Sequence, residues 1–230
     1  MTNIRIYVLC YNDETELKAR QGYGSFAWAT VVRIESTPIL ENVMYAKVLE
    51  ERRAEWEHCD YVGTLSWKAS QKIKPIEMDV IAMRLVLEKA DVVVFAASKT
   101  NLVGQAQNHH PHFKSLWIDW LGQLGHARDV ACDPGVLAFF YNYWMATPAW
   151  MTRYCAFFAQ AKAVLDTHGP IQERLWSDST YKKNISTERC VEIYGKPYFP
   201  HHCFLYERLP CFFFWKEQAD IKVCVKNLLL

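Results

Sequence analysis

Three short runs rich in branched apolar residues, Ile4 to Cys10, Tyr61 to Leu65 and Val92 to Phe95, constrain the fold of this chain most, because stretches with helical spacing separate them. Apolar runs of this length suit strands covered on both faces. In the first intervening stretch, Thr37-Pro38 reads as a helix N-cap followed by a first-turn proline. Leu40, Met44, Val48, Leu49 and Trp56 then recur at three-, four- and sevenfold spacing. Asp79 to Ala90 reads as a second helix. The resulting order of strand, helix, strand, helix, strand predicts an α/β fold with a mostly parallel central sheet and helical crossovers.

Farther along, a helix is expected around Lys114 to Leu121 and a strand over Val136 to Met145. Thr147-Pro148 opens a further helix carrying Met151, Tyr154, Cys155, Phe158 and Leu165 on one face. Beyond Gly169-Pro170, the prolines at 197, 200 and 210 predict an irregular C-terminal segment without long regular elements.

With 230 residues, 51% of them hydrophobic, the chain can build one large core, so a single domain over 1–230 is expected. Lys plus Arg at 26 against Asp plus Glu at 25 leaves a net charge of +1, which gives no overall field to recruit nucleic acid or an anionic membrane. An anionic ligand must therefore be met locally. The eight cysteines form no C-x-x-C pair and lie mostly in apolar runs, consistent with a reduced, cytoplasmic protein. The N-terminus is neither a signal peptide nor a membrane span, and the FFFW run at 212–215 is too short to span. The abrupt NLLL ending fits a module of a longer chain.

Neither G-x-G-x-x-G nor G-x-x-x-x-G-K-[ST] occurs, which disfavours dinucleotide oxidoreductase and P-loop kinase chemistry, and the lack of G-x-S-x-G counts against an α/β-hydrolase. NHHPHF at 108–113 and His201-His202-Cys203 are rich in metal-ligating types, but adjacent residues rarely converge on one tetrahedral ion. Glu77-x-Asp79 could bind a divalent cation through hard oxygens, or it could complement the dipole of the helix it opens. Asp178, in the WSDSTY loop, could contact a sugar or cap a turn. Trp67, Tyr143-Trp144 and Trp176 offer flat rings for stacking on sugars, with core packing as the alternative for each.

Open α/β sheets bind ligands outside the carboxyl ends of their strands. Tyr11-Asn12 follows the first strand and Ser66-Trp67-Lys68 ends the second, so both should line one crevice.

Several of these residues also resemble a known family. Cys59-Asp60-Tyr61-Val62-Gly63 running into Thr64-Leu65-Ser66-Trp67, then Asn142-Tyr143-Trp144-Met145, a later Tyr154-Cys155, and Phe204-Leu205-Tyr206-Glu207-Arg208-Leu209 are similar, in that order, to glycosyltransferases of bacterial exopolysaccharide synthesis. Those enzymes carry D-Y-I-G-x-x-H-Y-R-R-Y, N-M-F-I-M, Y-C and G-F-L-A-E-R-L. The G-T-L-S-W-K-A wording is closer to capsid-glycosylating domains of large algal viruses, which would place the protein in the host cytoplasm.

The resemblance implies a GT-A-type fold with a nucleotide-binding half over 1–100 and an acceptor-side half over 101–230. It also implies transfer of a hexose or deoxyhexose from a nucleoside-diphosphate sugar, UDP-linked, to a glycan or glycoprotein. By the same resemblance, Tyr11, Asn12, Ser66, Trp67, Lys68, Asn142 and Trp144 would bind the donor. Lys68 and Arg208 would face the phosphates, with Mn²⁺ or Mg²⁺ on Asp79. Asp178 or Glu207 would serve the anomeric carbon; Glu207-Arg208 is equally readable as a structural ion pair. The chain departs from the family in lacking the arginine pair after its second strand and an acid-x-acid motif at that strand's end. A noncatalytic carbohydrate-binding module is the alternative function. A nucleic-acid binder using Lys182-Lys183 is disfavoured by the balanced charge.

Overall fold

The computed structural model describes residues 3–35, 41–73, 89–95, 97–139, 143–181 and 186–225. The chain opens with β1 (Ile4–Cys10), which packs on both faces. Tyr7 and Leu9 enter one core, and Ile6, Val8 and Cys10 enter the other. Its continuous apolar run is explained by that two-sided burial. Next come α1 (Asp13–Tyr23), β2 (Ala29–Arg33), α2 (Glu41–Glu51), the short α3 (Arg53–Trp56) and β3 (Tyr61–Ser66).

Two of these elements, α1 and β2, go beyond the sequence reading. Helix α1 carries five charged residues in eleven and buries only Thr15, Ala19 and Tyr23, so its apolar stripe is too thin to register as periodicity. The expected helix ending in Trp56 is two pieces, because α2 stops at Glu51. The Trp56 ring nonetheless folds back, its Nε1 donating to the Leu49 carbonyl at 2.7 Å. The expected Thr37-Pro38 start and most of the Asp79–Ala90 helix lie outside the described residues.

After β4 (Val92–Val94) the chain makes β5 (Ala97–Asn101), α4 (Leu102–His109), α5 (Phe113–Gln123), α6 (Arg128–Ala131), β6 (Leu137–Phe139) and β7 (Trp144–Ala146). The single strand expected over 136–145 is thus two. β6 pairs with β5 in a separate ribbon, and β7 joins the main sheet. Helix α7 (Pro148–Thr167) starts at the expected proline and buries all five residues assigned to its inner face.

Among the described residues, the main sheet has six strands in the order β2-β1-β3-β7-β4-β8, where β8 is Val223–Val225. Pairings β1–β2, β1–β3 and β4–β8 are parallel. Strand β7 runs antiparallel between β3 and β4. The mostly parallel α/β sheet is therefore present, with one reversed strand. Gly63 permits that insertion: a Cβ there would stand 2.7 Å from the Trp144 carbonyl oxygen and 2.9 Å from the Met145 Cβ.

The C-terminal segment contradicts the expected irregularity. After α8 (Gly169–Leu175) and α9 (Thr187–Tyr194), a 15-residue helix, α10 (His202–Lys216), runs straight through Pro210. A proline interrupts one backbone hydrogen bond and crowds the preceding turn. Here α10 buries eleven side chains, including Phe212, Phe213, Phe214 and Pro210 itself. At roughly 2–3 kcal/mol for each large apolar side chain fully removed from water, that burial outweighs the loss. These rings join Trp117, Trp120, Tyr154 and Tyr206 in the larger core, which covers one face of the sheet and brings α10 against α2.

Candidate functional site

The carboxyl ends of β1 and β3 stand side by side, since Leu9 is in register with Ser66 and the Trp67 N–H donates to the Leu9 carbonyl at 3.0 Å. As expected, they bring Tyr11 and Trp67 together, edge to face with ring centroids 6.4 Å apart. Asn12 is used locally as the N-cap of α1. Its side-chain oxygen accepts from the Thr15 N–H at 2.8 Å, and its own N–H donates back to Thr15 Oγ1 at 3.0 Å.

Two cations flank the Trp67 ring: Lys68 Nζ lies 5.0 Å and Lys18 Nζ 5.3 Å from its centroid. Ring and ammonium attract through the ring quadrupole, so the ring holds two positive charges beside it. Lys72 Nζ adds a third, 5.9 Å from the centroid of Tyr143, which precedes β7 at the same edge. Lys18 also pairs with Glu14 at 2.5 Å. Sequence reasoning identified Lys68 alone, because Lys18 belongs to the helix whose apolar stripe is too thin to read.

On the opposite face of β3, Ser66 points at the start of α2, where Glu41 and Tyr45 lie one helical turn apart. Burial is the leading cause that raises the Glu41 carboxyl above the ordinary carboxylate range. The Ser66 and Tyr45 hydroxyls oppose it, Glu207 reinforces it and Lys68 opposes it. Glu41 keeps a solvent-facing edge. The buried Tyr45 hydroxyl, although close to Glu41, closes no hydrogen bond of good geometry. Lys68 thus stands near the Trp67 ring and exerts a weak favourable field on Glu41, while Glu207 of α10 exerts an opposing one.

Other expected residues are placed elsewhere. Arg208 turns into the protein: its Nη1 donates to the Phe204 carbonyl at 3.0 Å, its Nη2 to Gln105 Oε1 at 3.0 Å, and its guanidinium lies 5.3 Å from the Phe113 ring. Its contact with Glu207 is 3.6 Å. That arrangement corrects Arg208 from a phosphate-facing residue to a structural one that ties α10 to α4 and α5. Trp144 is likewise corrected to a core residue, 4% exposed, with Tyr154 and Phe214 at 5.0 Å on either side. Asp178 pairs in an isolated bridge with Pro200, and its Oδ1 accepts from the Thr180 N–H at 2.7 Å. It acts as a turn cap and is coupled to His201, whereas Glu207 is coupled to Glu41, Tyr181 and Cys203. Asn142, Glu77, Asp79 and Lys182-Lys183 lie outside the described residues.

In the histidine-rich stretches, His110, His201 and His202 are buried, whereas His109 and His112 are exposed. His110 stacks on Phe204 at 3.7 Å, and burial pushes it down to about 3. His202 stacks on Trp176 at 4.7 Å. Among the described residues, no group of three or more His, Cys, Asp or Glu is arranged to hold a metal ion. No helix among them is long and apolar enough to cross a membrane.

No protein-family model matches the sequence, and no curated protein is significantly similar to it. The fold itself is shared. The apo structure of the bifunctional glycosyltransferase WbbM superimposes on 99% of this chain with a TM-score of 0.55 at 10% sequence identity. This chain corresponds to 45% of WbbM, less than half of its length. An α/β architecture used by a glycosyltransferase is therefore present, with lysines and aromatic rings gathered at the carboxyl ends of β1 and β3.

Proposed function

We propose that the chain is a glycosyltransferase that takes a hexose or deoxyhexose from a nucleoside-diphosphate sugar, UDP-linked, to a glycan or glycoprotein acceptor. The observation that carries this reading is Lys68, which stands against Trp67 on one side and faces Glu41 on the other. It puts positive charge, a stacking ring and carboxyls around one crevice, on a fold shared with a glycosyltransferase.

In this reading, the half-buried Tyr11, backed by the buried Trp67 ring, holds the base or sugar by stacking, while Lys68, Lys18 and Lys72 face the diphosphate. The acceptor oxygen bonds to the anomeric carbon as the bond from that carbon to the diphosphate breaks. The bonding pair leaves on the diphosphate, whose growing charge the lysines stabilise, and the hydroxyl proton passes to the Glu207 carboxylate. Lysines here replace the arginine pair of the exopolysaccharide enzymes. A divalent ion belongs to the proposal only at Asp79.

Calorimetry with UDP, UDP-glucose and GDP-sugars, each with and without Mn²⁺, tests the proposal. Binding of at least one nucleotide is expected, and failure of all would reject it. The placement of Arg208 and Asp178 favours one second reading, a carbohydrate-binding module without turnover, since two of three catalytic candidates serve the scaffold. Hydrolysis of a bound donor would exclude that module.

A further inference from the structure

A pocket of about 220 Å³ lies where α5 and α10 begin, and it is lined by His112, Ser115, Leu116, Arg174, Ser177 and His201. None of the crevice residues Tyr11, Ser66, Trp67, Lys68, Glu41 or Glu207 is among them. We infer that this pocket binds an oxyanion, the phosphate or carboxylate of a small ligand, between the first turns of the two helices and Arg174.

His201 is the group that calls for a ligand. It is 1% exposed, lines the pocket, and neither ring nitrogen completes a hydrogen bond of good geometry. The backbone of Asp178 approaches it without satisfying it. Buried polar groups are normally paired, and an unpaired one costs about 1–3 kcal/mol. A bound oxygen accepting from the imidazole would relieve that cost.

The surroundings favour an anion over a neutral group. His112 is the N-cap of α5 and His201 the N-cap of α10, and neither side chain accepts a hydrogen bond from the turn it precedes. Two helix starts therefore present backbone N–H groups and the positive ends of their dipoles. The Arg174 guanidinium donates to Asp119 through Nη1 and to Ser115 Oγ at 2.9 Å through Nη2, and a guanidinium carries further N–H donors beyond these. Ser115 donates to the His112 carbonyl at 3.2 Å and Ser177 to the Arg174 carbonyl at 2.7 Å, which holds both hydroxyls at the rim. The nearby negative groups are occupied, Asp119 by Arg174 and Asp178 by the Thr180 N–H. Burial is also the leading cause that lowers His201, to about 4, so it is neutral at pH 7 with one N–H to donate.

The test follows the imidazole nitrogens of the ¹⁵N-labelled full chain by NMR at pH 7, with His201 assigned through a His201→Gln variant. The probes are inorganic phosphate, glucuronate and glucose. Saturable movement of the His201 resonances by phosphate or glucuronate, with none by glucose, is expected, and whichever anion acts identifies the group recognised. Arg174→Gln should weaken that response about tenfold, the worth of one charge-assisted hydrogen bond. Lys68→Ala, which alters only the carboxyl-edge crevice, should leave it unchanged, so this pocket stands or falls separately from glycosyl transfer. Should Arg174→Gln not fold, Arg174→Lys makes the same comparison, because one ammonium in place of the planar fork cannot serve Asp119, Ser115 and the anion together. Silence toward both anions, an equal response to glucose, or undiminished affinity in the variant that folds would overturn the inference.

Discussion

Ser66 and Trp67 are adjacent in sequence but leave β3 on opposite faces of the sheet, Ser66 toward Glu41 and Tyr45 on α2, Trp67 against Tyr11 at the start of α1. Alternation along a strand makes such a division automatic. The end of β3 therefore presents two different surroundings, one aromatic and cationic, the other carboxylic. Lys68, next in the chain, lies near both.

Lys68 is exposed, so Lys68→Ala should leave the thermal midpoint nearly unchanged while weakening nucleoside-diphosphate binding. Loss of one charge-assisted contact corresponds to about tenfold in Kd. Lys18→Ala should add to the effect, because both ammonium groups flank the same ring. Calorimetry with UDP and parallel thermal melts check this; equal losses of binding and stability would assign Lys68 to the scaffold.

The two carboxylates proposed for the anomeric carbon are separable by mutation. Glu207→Gln should retain donor binding and lower turnover at least about a hundredfold, the lower end for removal of a general base. Asp178→Ala should leave turnover close to wild type and cost about 1 kcal/mol of stability through the lost turn bond. Steady-state kinetics of both variants against one donor and acceptor decide between them; the reverse ranking would return Asp178 to the site.

The legible parts of the chain are those where one physical pattern dominates. β1 and α7 were readable because a two-sided apolar run and a proline-initiated apolar stripe have no competing interpretation. Helix α1 was not, since its stability comes from the Asn12 capping box and charged pairs such as Glu14–Lys18 rather than from an apolar face. Pro210 misled because its penalty is local, whereas the burial that overrides it comes from distant rings. At the candidate site, strand order brings the ends of β1 and β3, and with them Tyr11, Ser66, Trp67 and Lys68, side by side, but which way Arg208 turns depends on Gln105, about a hundred residues away, and periodicity carries no such information.

Gly63→Ala should be strongly destabilising although alanine is a small change. The added methyl would meet the Trp144 carbonyl oxygen at 2.7 Å and the Met145 Cβ at 2.9 Å, and the oxygen is backbone held in the β3–β7 pairing. Strands at this point would have to separate, so a loss of at least ~2 kcal/mol is expected. Urea denaturation checks it, and a wild-type midpoint would show that β7 can shift without cost.

Glu41 gives the crevice a pH dependence whose sign is set by burial. Its carboxyl binds a proton more readily in the folded chain than in the unfolded one, because burial and Glu207 disfavour the charge more than Ser66, Tyr45 and Lys68 favour it. Below the ordinary glutamate range both states are protonated, and the group contributes nothing to the pH dependence. As pH rises from there, the unfolded chain releases its proton first, so stability falls until the folded carboxyl has ionised as well. Glu41→Gln removes that penalty. Its thermal midpoint should exceed wild type at pH 7 and converge with it near pH 4, measured by melts across that range. A midpoint below wild type at pH 7 would mean that the charged carboxylate, held by Lys68 and the two hydroxyls, is the form the fold prefers.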